Sequence, residues 1–350
     1  MTAEKRQLMK KGIPLLLIGL LVFIFYIYFF GGTASIGDII EKLQTANLVY
    51  YSLTFVSVVF SVFFYSLAWH RLMHLLSIEA TFRKTFLYVW IGNFVDLLVP
   101  AEAVSGEASK AYLMSKNSKV NSGKVVASIV SHRILSMTIT LGSLIISSVY
   151  FALKYRPPEL ILDFVIITAS CTALAIILLG YLSVREQTTK KIVNWIIRLA
   201  ARISRGRWEL TSLRSKAQKM LKAFHQGINI LTRNPRALAG PMISSMAAWF
   251  FHVLVFFLVF ISLEFQISLS AIIVVYSISV SLQSIPLGIP GEVGFMEIVM
   301  TTIYTLLGVP IVVSATATVL TRVATMWFKL IAGYAAVQWV GINVLMEDKQ

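Results

Sequence analysis

Apolar residues recur along the chain in runs longer than about 18, the length a helix needs to cross a bilayer. The clear runs are Ile13 to Phe30, Leu48 to Ala68, Val125 to Tyr150, Ile161 to Val184, Leu238 to Ser262 and Ile311 to Val344. The expected fold is therefore all-α, a polytopic membrane protein with about six full spans. The first run follows the basic stretch MTAEKRQLMKK and is long and aromatic, with no small-residue cleavage site after it. It reads as an uncleaved span rather than a secretory signal.

Two further apolar stretches are interrupted by polar residues and helix breakers. Between Phe86 and Lys124 lies GNFVDLLVPAEAVSGEASKAYLM, with Asp96, Pro100, Glu102, Gly106 and Glu107 at membrane depth. Between Leu269 and Leu307 lies QSIPLGIPGEVGFME, with Pro286, Pro290, Gly291, Glu292 and Glu297. Irregular backbone at that depth must be buried in protein or line a wet cavity, because lipid satisfies no polar group. Both segments are read as re-entrant helix pairs that enter, turn and leave on the same side.

Composition sharpens this picture. The 350 residues are 57% hydrophobic and only 13% charged, with a formal net charge of +15 and a mean hydropathy of +0.78. An ordinary soluble domain carries nearly twice that charged fraction. The segment from Arg185 to Arg236 alone holds 13 Lys or Arg against Glu186 and Glu209, which is +11 of the +15. A polar segment between two spans with such an excess is what a cytoplasmic loop requires, so topology accounts for the charge and no nucleic-acid partner is expected. With both termini cytoplasmic, 25 cations fall inside, three fall outside (Lys42, Lys154 and Arg156) and three lie within spans (Arg133, Arg322 and Lys329). A multi-pass location in the cell membrane follows as the expectation.

The same topology relates the broken segments to one another. A span, a broken segment and a span carrying Arg133 cover about 48–150; a second such unit carrying Arg322 covers about 240–341. The first begins outside and the second inside, so the two are expected to be inverted repeats, as in transporters that bind substrate near the midplane. The chain is read as a single membrane domain over 1–350, with the basic loop at 185–236 between the repeats. Within that loop Ile192, Trp195, Ile196, Leu199 and Ile203 recur at helical spacing, as do Leu213, Ala217, Met220, Phe224, Ile228 and Leu231, with Gly206 between. Two amphipathic helices on an anionic inner leaflet would give this pattern; a solvated linker that only sets topology is the alternative.

Common reactive constellations do not occur: no H-E-x-x-H, P-loop or G-x-S-x-G motif is present. Asp38, Asp96, Asp163 and Asp348 stand far apart, and His70 and His74 lack a third ligand nearby, so neither metal nor cofactor is expected. His225 and His252 stand alone and read as structural; the lone Cys171 reads as a small core residue. The intramembrane charges carry more information, since an ionised side chain at the bilayer centre costs at least about 2.5 kcal/mol and is normally paired or wet. Glu107 with Arg133, and Glu292 or Glu297 with Arg322, are the expected pairs. They would either fix the fold by mutual neutralisation or hold a headgroup, the arginines gripping phosphate through their planar fork. Gly288, Pro290, Gly291 and Gly294 break the helix, and they would also expose a helix N-terminus at Phe295 able to take an anion.

At these residues the sequence resembles the transmembrane region of lysylphosphatidylglycerol synthase, also described as the flippase-like domain, in its archaeal-type variant. Asn93, Pro100, Gly106, Glu107 and Lys110 match the family's N…P…GE..(R/K) pattern, followed by Arg133. Gly288, Pro290, Gly291, Gly294 and Glu297 match PGG.G..E, followed by Arg322 and Gly333. Three departures bear on the headgroup: a longer stretch from Pro100 to Gly106, Glu292 in place of the second glycine, and His132 where an acid often precedes the arginine. The family's soluble lysyltransferase domain does not follow before Gln350, so the resemblance implies the lipid-translocating part alone, without enzyme activity.

The function expected is translocation of an anionic phospholipid or a polyprenyl-phosphate-linked headgroup between leaflets. Its substrate-binding residues would be Asn93, Pro100, Glu102, Gly106, Glu107, Lys110, Arg133, Pro290, Gly291, Glu292, Glu297 and Arg322. A membrane-embedded transferase on lipid-linked sugars or headgroups, with Glu107 or Glu297 as base, and an accessory scaffold are the alternatives. Beyond the lipid and the inner leaflet, the partners considered are a second copy of the chain or a lipid-modifying enzyme.

Overall fold

The computed structural model describes residues 21–28, 36–99, 104–118, 121–155, 158–203, 210–285 and 287–347. Pro100, Glu102 and Pro286, and the first expected span apart from 21–28, lie outside these residues. Every regular element among the described residues is helical. Residues 21–28 form α1; α2 is Ile36–Gln44, α3 Leu48–Leu75, α4 Phe82–Leu98, α5 Ser105–Ser118, α6 Ser122–Tyr155 and α7 Glu159–Val184. After the last span of the first half come α8 (Glu186–Ile203) and α9 (Leu210–Arg233). The second half holds α10 (Ala239–Ser262), α11 (Leu269–Leu282), α12 (Phe295–Leu306), α13 (Ile311–Arg322) and α14 (Phe328–Glu347).

Among the described residues, helices long and apolar enough to cross a membrane run over Leu48–Leu75, Ser122–Tyr155, Glu159–Val184, Pro235–Ser262 and Ile311–Gly341. They match the sequence expectation, the first four extended outward at one end or both and the last ending at Gly341 instead of Val344. Their outer faces carry exposed Phe60, Ile146, Ile166, Ile177 and Ile331, an apolar belt that only lipid would solvate well. At 1.5 Å per residue, α4, α5, α11 and α12 are about 26, 21, 21 and 18 Å long, all shorter than a hydrocarbon core of roughly 30 Å.

The centre of the fold is the antiparallel pair α3 and α10. Asn47 N–H donates to Ser262 O (2.7 Å) at one end, and Ser61 Oγ donates to Ala248 O (3.1 Å) in the middle. At the other end Arg71 donates to Gly240 O (2.9 Å) and Ser244 Oγ (2.8 Å). Phe251 of α10 stacks on both Phe60 and Phe64 of α3. The helix after Pro310 is not uniform: between α13 and α14 the residues Val323–Trp327 form a π turn, which packs one extra residue into the helical path. α14 then lies against α4 so closely that a Cβ on Gly333 would come within 2.6 Å of Trp90 O and 2.7 Å of Phe94 Cβ.

Two expectations need correction. The second half of the α9 stripe does not lie on a leaflet: Phe224, Ile228 and Leu231, with Leu221 beside them, are buried because α9 docks on α6, while Met220 is exposed. Gly123 allows that approach, since a Cβ there would run into Met220 O, and Gly227 would place one 2.9 Å from Ala127 Cβ. The stripe of α8 is different, with Ile192, Trp195, Ile196 and Leu199 all exposed. Cys171 is likewise no core residue; it is exposed on α7.

Candidate functional site: a cationic cavity between two broken segments

The two broken segments fold into two capped turns that meet in the middle of the molecule. In the first, Asp96 on the last turn of α4 accepts hydrogen bonds from Ser105 Oγ (2.8 Å) and Gly106 N–H (2.6 Å). A carboxylate there satisfies the donors at the start of α5 and complements its dipole. Position 106 must be glycine, because a Cβ would collide with the Asp96 carboxylate and Gly92 O.

One turn further along α5, the stem of Lys110 crosses Gly92, leaving Lys110 5% exposed. Its ammonium pairs with Glu107 Oε2 at 2.8 Å and donates to Tyr65 OH at 3.3 Å, while Tyr65 OH donates to Glu107 Oε1 at 3.3 Å. The rings of Tyr65 and Trp69 lie 5.0 and 5.5 Å from the same ammonium, within cation–π range. The ion pair of Glu107 is thus made with Lys110 and not with Arg133 as expected, because the i,i+3 spacing puts both on one face of α5.

In the second segment the chain turns tightly through Pro290–Glu292. Gly288, Gly291, Glu292 and Gly294 all have positive φ (79°, 57°, 50° and 87°), which is costly for Glu292. Gly294 caps α12, so a helix does begin at Phe295. Its N-terminus is not open to an anion, however: Gly294 N–H donates to Glu297 Oε2 (2.7 Å), so the helix carries its own carboxylate. The other oxygen, Glu297 Oε1, accepts from Arg322 Nε at 2.7 Å. Arg322 Nη2 also donates to Gly291 O and lies 2.9 Å from Met326 Sδ. Of the two glutamates weighed as partners of Arg322, Glu297 is the one bonded to it; Glu292 is buried and neither of its carboxylate oxygens has a hydrogen-bond partner. The two turns abut, since a Cβ on Gly291 would sit 3.7 Å from Leu97 O.

Beside this junction is a cavity of about 640 Å³. Among the described residues its charged lining is Asp96, Glu107, Lys110, Arg133 and Lys329, with Asp96 already committed to the start of α5. Asn93 adds a neutral polar group, while Trp249, His252 and Tyr276 from α10 and α11 form part of the wall. The rim includes Ile167, Cys171 and Leu178 of α7, residues exposed on the apolar outer face, so the cavity communicates with the lipid side. A smaller cavity of about 160 Å³ shares Asn93, Asp96, His252 and Lys329 with it and has Arg322 in its wall.

Of the residues singled out in the sequence, Asn93, Glu107, Lys110 and Arg133 come together on the large cavity. Arg322 reaches the small one, while Pro290, Gly291, Glu292 and Glu297 are buried in the turn behind it. Lys329, Asp96 and His252 were not selected as site residues. A lysine and an aspartate inside apolar stretches were the available signals for the first two, and His252 gave none.

The profile of the family described as "Lysylphosphatidylglycerol synthase TM region" matches residues 16–333. A protein of Methanothermobacter thermautotrophicus is 25% identical over 334 residues, covering 95% of this chain and 97% of its own. A protein of Pyrococcus horikoshii is 25% identical over 90% of this chain and 92% of its own. One from Methanocaldococcus jannaschii is 25% identical over 91% and 93%. All three are described as UPF0104 membrane proteins.

Proposed function

The chain belongs to the lysylphosphatidylglycerol synthase transmembrane-region family, and from that premise we propose that it moves an anionic lipid headgroup between bilayer leaflets without covalent chemistry. The observation that carries the reading is the cavity of about 640 Å³, which joins Lys110, Arg133 and Lys329 to a rim of exposed α7 residues. A volume in the range of small-molecule sites, cationic inside and apolar at its edge, suits a phosphate-bearing headgroup whose acyl or prenyl tails stay among the lipids. Hydrated headgroups cross hydrocarbon slowly because nothing there replaces their water; the cations and Asn93 would do so.

The two broken segments add to the reading. α3 and α10 run antiparallel, and each is followed by a pair of short helices, α4–α5 or α11–α12. We take these as inverted re-entrant units whose rocking about the α3–α10 contact would expose the cavity to alternate leaflets. The substrate is an anionic phospholipid or a polyprenyl-phosphate-linked headgroup, and the location is the plasma membrane with cytoplasmic termini.

The test is leaflet exchange in proteoliposomes, following a labelled anionic phospholipid and a labelled polyprenyl phosphate by quenching from outside. Protein-dependent exchange of at least one is expected. It should fall about tenfold in R133Q and in K329Q, the loss of one charge-assisted hydrogen bond. Wild-type rates in both folded variants, or no exchange of either lipid, would overturn the proposal.

A further inference from the structure

The loop helices α8 and α9 carry the same amphipathic pattern, yet the fold treats them differently. α9 buries Phe224, Ile228 and Leu231 of its stripe on α6, whereas α8 leaves Ile192, Trp195, Ile196 and Leu199 exposed at 39%, 58%, 51% and 42%. These four positions follow i, i+3, i+4 and i+7, a single stripe along one side of the helix. A contiguous apolar face of this kind in water calls for an occupant.

Position and charge decide which occupant. α8 starts two residues after α7 ends, and the last turns of α7 present exposed Leu178, Tyr181 and Val184 to lipid. The stripe therefore continues the membrane-facing surface at the end of a span. Arg185, Lys190, Lys191 and Arg198 are exposed around it, opposed by Glu186, which pairs with Lys190 at 2.7 Å. That pair lies on the side of the helix opposite the stripe, where water screens it and it contributes little. On a helical wheel Lys191 and Arg198 fall together beside the stripe, where long basic side chains reach from an apolar bed to the headgroups.

We infer that α8 is an in-plane membrane helix. Its Ile192–Trp195–Ile196–Leu199 face seats in the boundary of the cytoplasmic leaflet, and Lys191 and Arg198 select anionic lipid there. This stands apart from the cavity and does not depend on what the cavity carries. The inference gives the loop a task besides topology: α9 is fixed to the transmembrane body through α6, α8 to the bilayer surface, and the two are joined.

The experiment uses the full chain in vesicles with and without phosphatidylglycerol. In a Cys171→Ser background, a nitroxide is placed at Ile196→Cys or at the exposed Gln187→Cys, and its accessibility to oxygen and to a water-soluble nickel complex is measured. The label at 196 should be lipid-like and the label at 187 aqueous. In phosphatidylglycerol vesicles, replacing Lys191 and Arg198 by glutamine should lower the docked-to-undocked ratio about tenfold or more, each cation near an anionic surface having a comparable share. An aqueous signal at 196 overturns the inference, as does spin–spin broadening that vanishes on dilution with unlabelled protein, which would put a second copy on the face. A lipid-like signal that the double variant leaves unchanged overturns the anionic selectivity.

Discussion

Replacing Arg322 by methionine should damage the fold far more than removing the whole pair. Arg322 and Glu297 are 4% and 7% exposed, and their 2.7 Å bond is the link between α13 and the start of α12. Without the guanidinium, Glu297 keeps only the Gly294 N–H, and Gly291 O loses the donor from Arg322. Breaking a buried pair on one side costs about 3–5 kcal/mol, whereas replacing both partners by apolar groups of similar volume is often close to neutral. R322M should therefore destabilise by about 3–5 kcal/mol. R322M combined with E297L should recover at least half of that, less about 1 kcal/mol for the lost cap at Gly294. The assay is a double-mutant cycle on the chain in micelles, unfolding followed by tryptophan fluorescence in graded SDS. The two sites are in contact, so a coupling energy above about 1 kcal/mol is expected. Additivity within about 0.5 kcal/mol, or an R322M variant as stable as wild type, would refute the account of this pair as a mutual neutralisation that holds the second turn.

Other outcomes follow from the same geometry. Gly106→Ala should cost about 1–3 kcal/mol in the same unfolding assay, because its Cβ meets the Asp96 carboxylate and Gly92 O and the α4–α5 turn must open. Gly123→Ala should loosen α9 from α6, read as faster hydrogen exchange across Leu210–Arg233 while α3 and α10 stay protected. Glu292→Gln has no hydrogen bond to lose, so its stability should match or exceed wild type, in contrast to Glu297→Gln.

The spans were legible because a run of apolar residues long enough for the bilayer leaves few alternatives. The breaks were legible because proline and glycine forbid continuing the helix there, and the start of α12 at Phe295 followed from Gly294. The choice between Glu292 and Glu297 was not, since both lie in the same broken segment and sequence distance from Arg322 does not separate them. Only the positive φ at Gly291, Glu292 and Gly294 sets Glu297 at the third position of α12, where its carboxylate can reach back to the cap and across to Arg322. Lys110 as the partner of Glu107 could have been found from spacing alone. The fate of α9 could not: an apolar stripe has the same sequence whether protein or lipid covers it, and the close fit depends on Gly123 and Gly227 facing their neighbours. Lys329 and His252 reached the cavity through packing that no local pattern encodes.

Lys329 stands seven positions after Arg322, nearly two full α-helical turns, which on an unbroken helix would stack both cations on one side. The π turn at Val323–Trp327 acts as a phase shifter between them. The added residue holds the downstream register back by roughly 100°, so Arg322 turns to Glu297 while Lys329, beside it on the small cavity, also reaches the large one. The chemistry of the site is in this sense counted as well as chosen: redrawing the π turn as plain α-helix with all its residues kept would swing Lys329 about 100° around the axis, whereas deleting one residue there would straighten the helix and leave the two cations in their present relation.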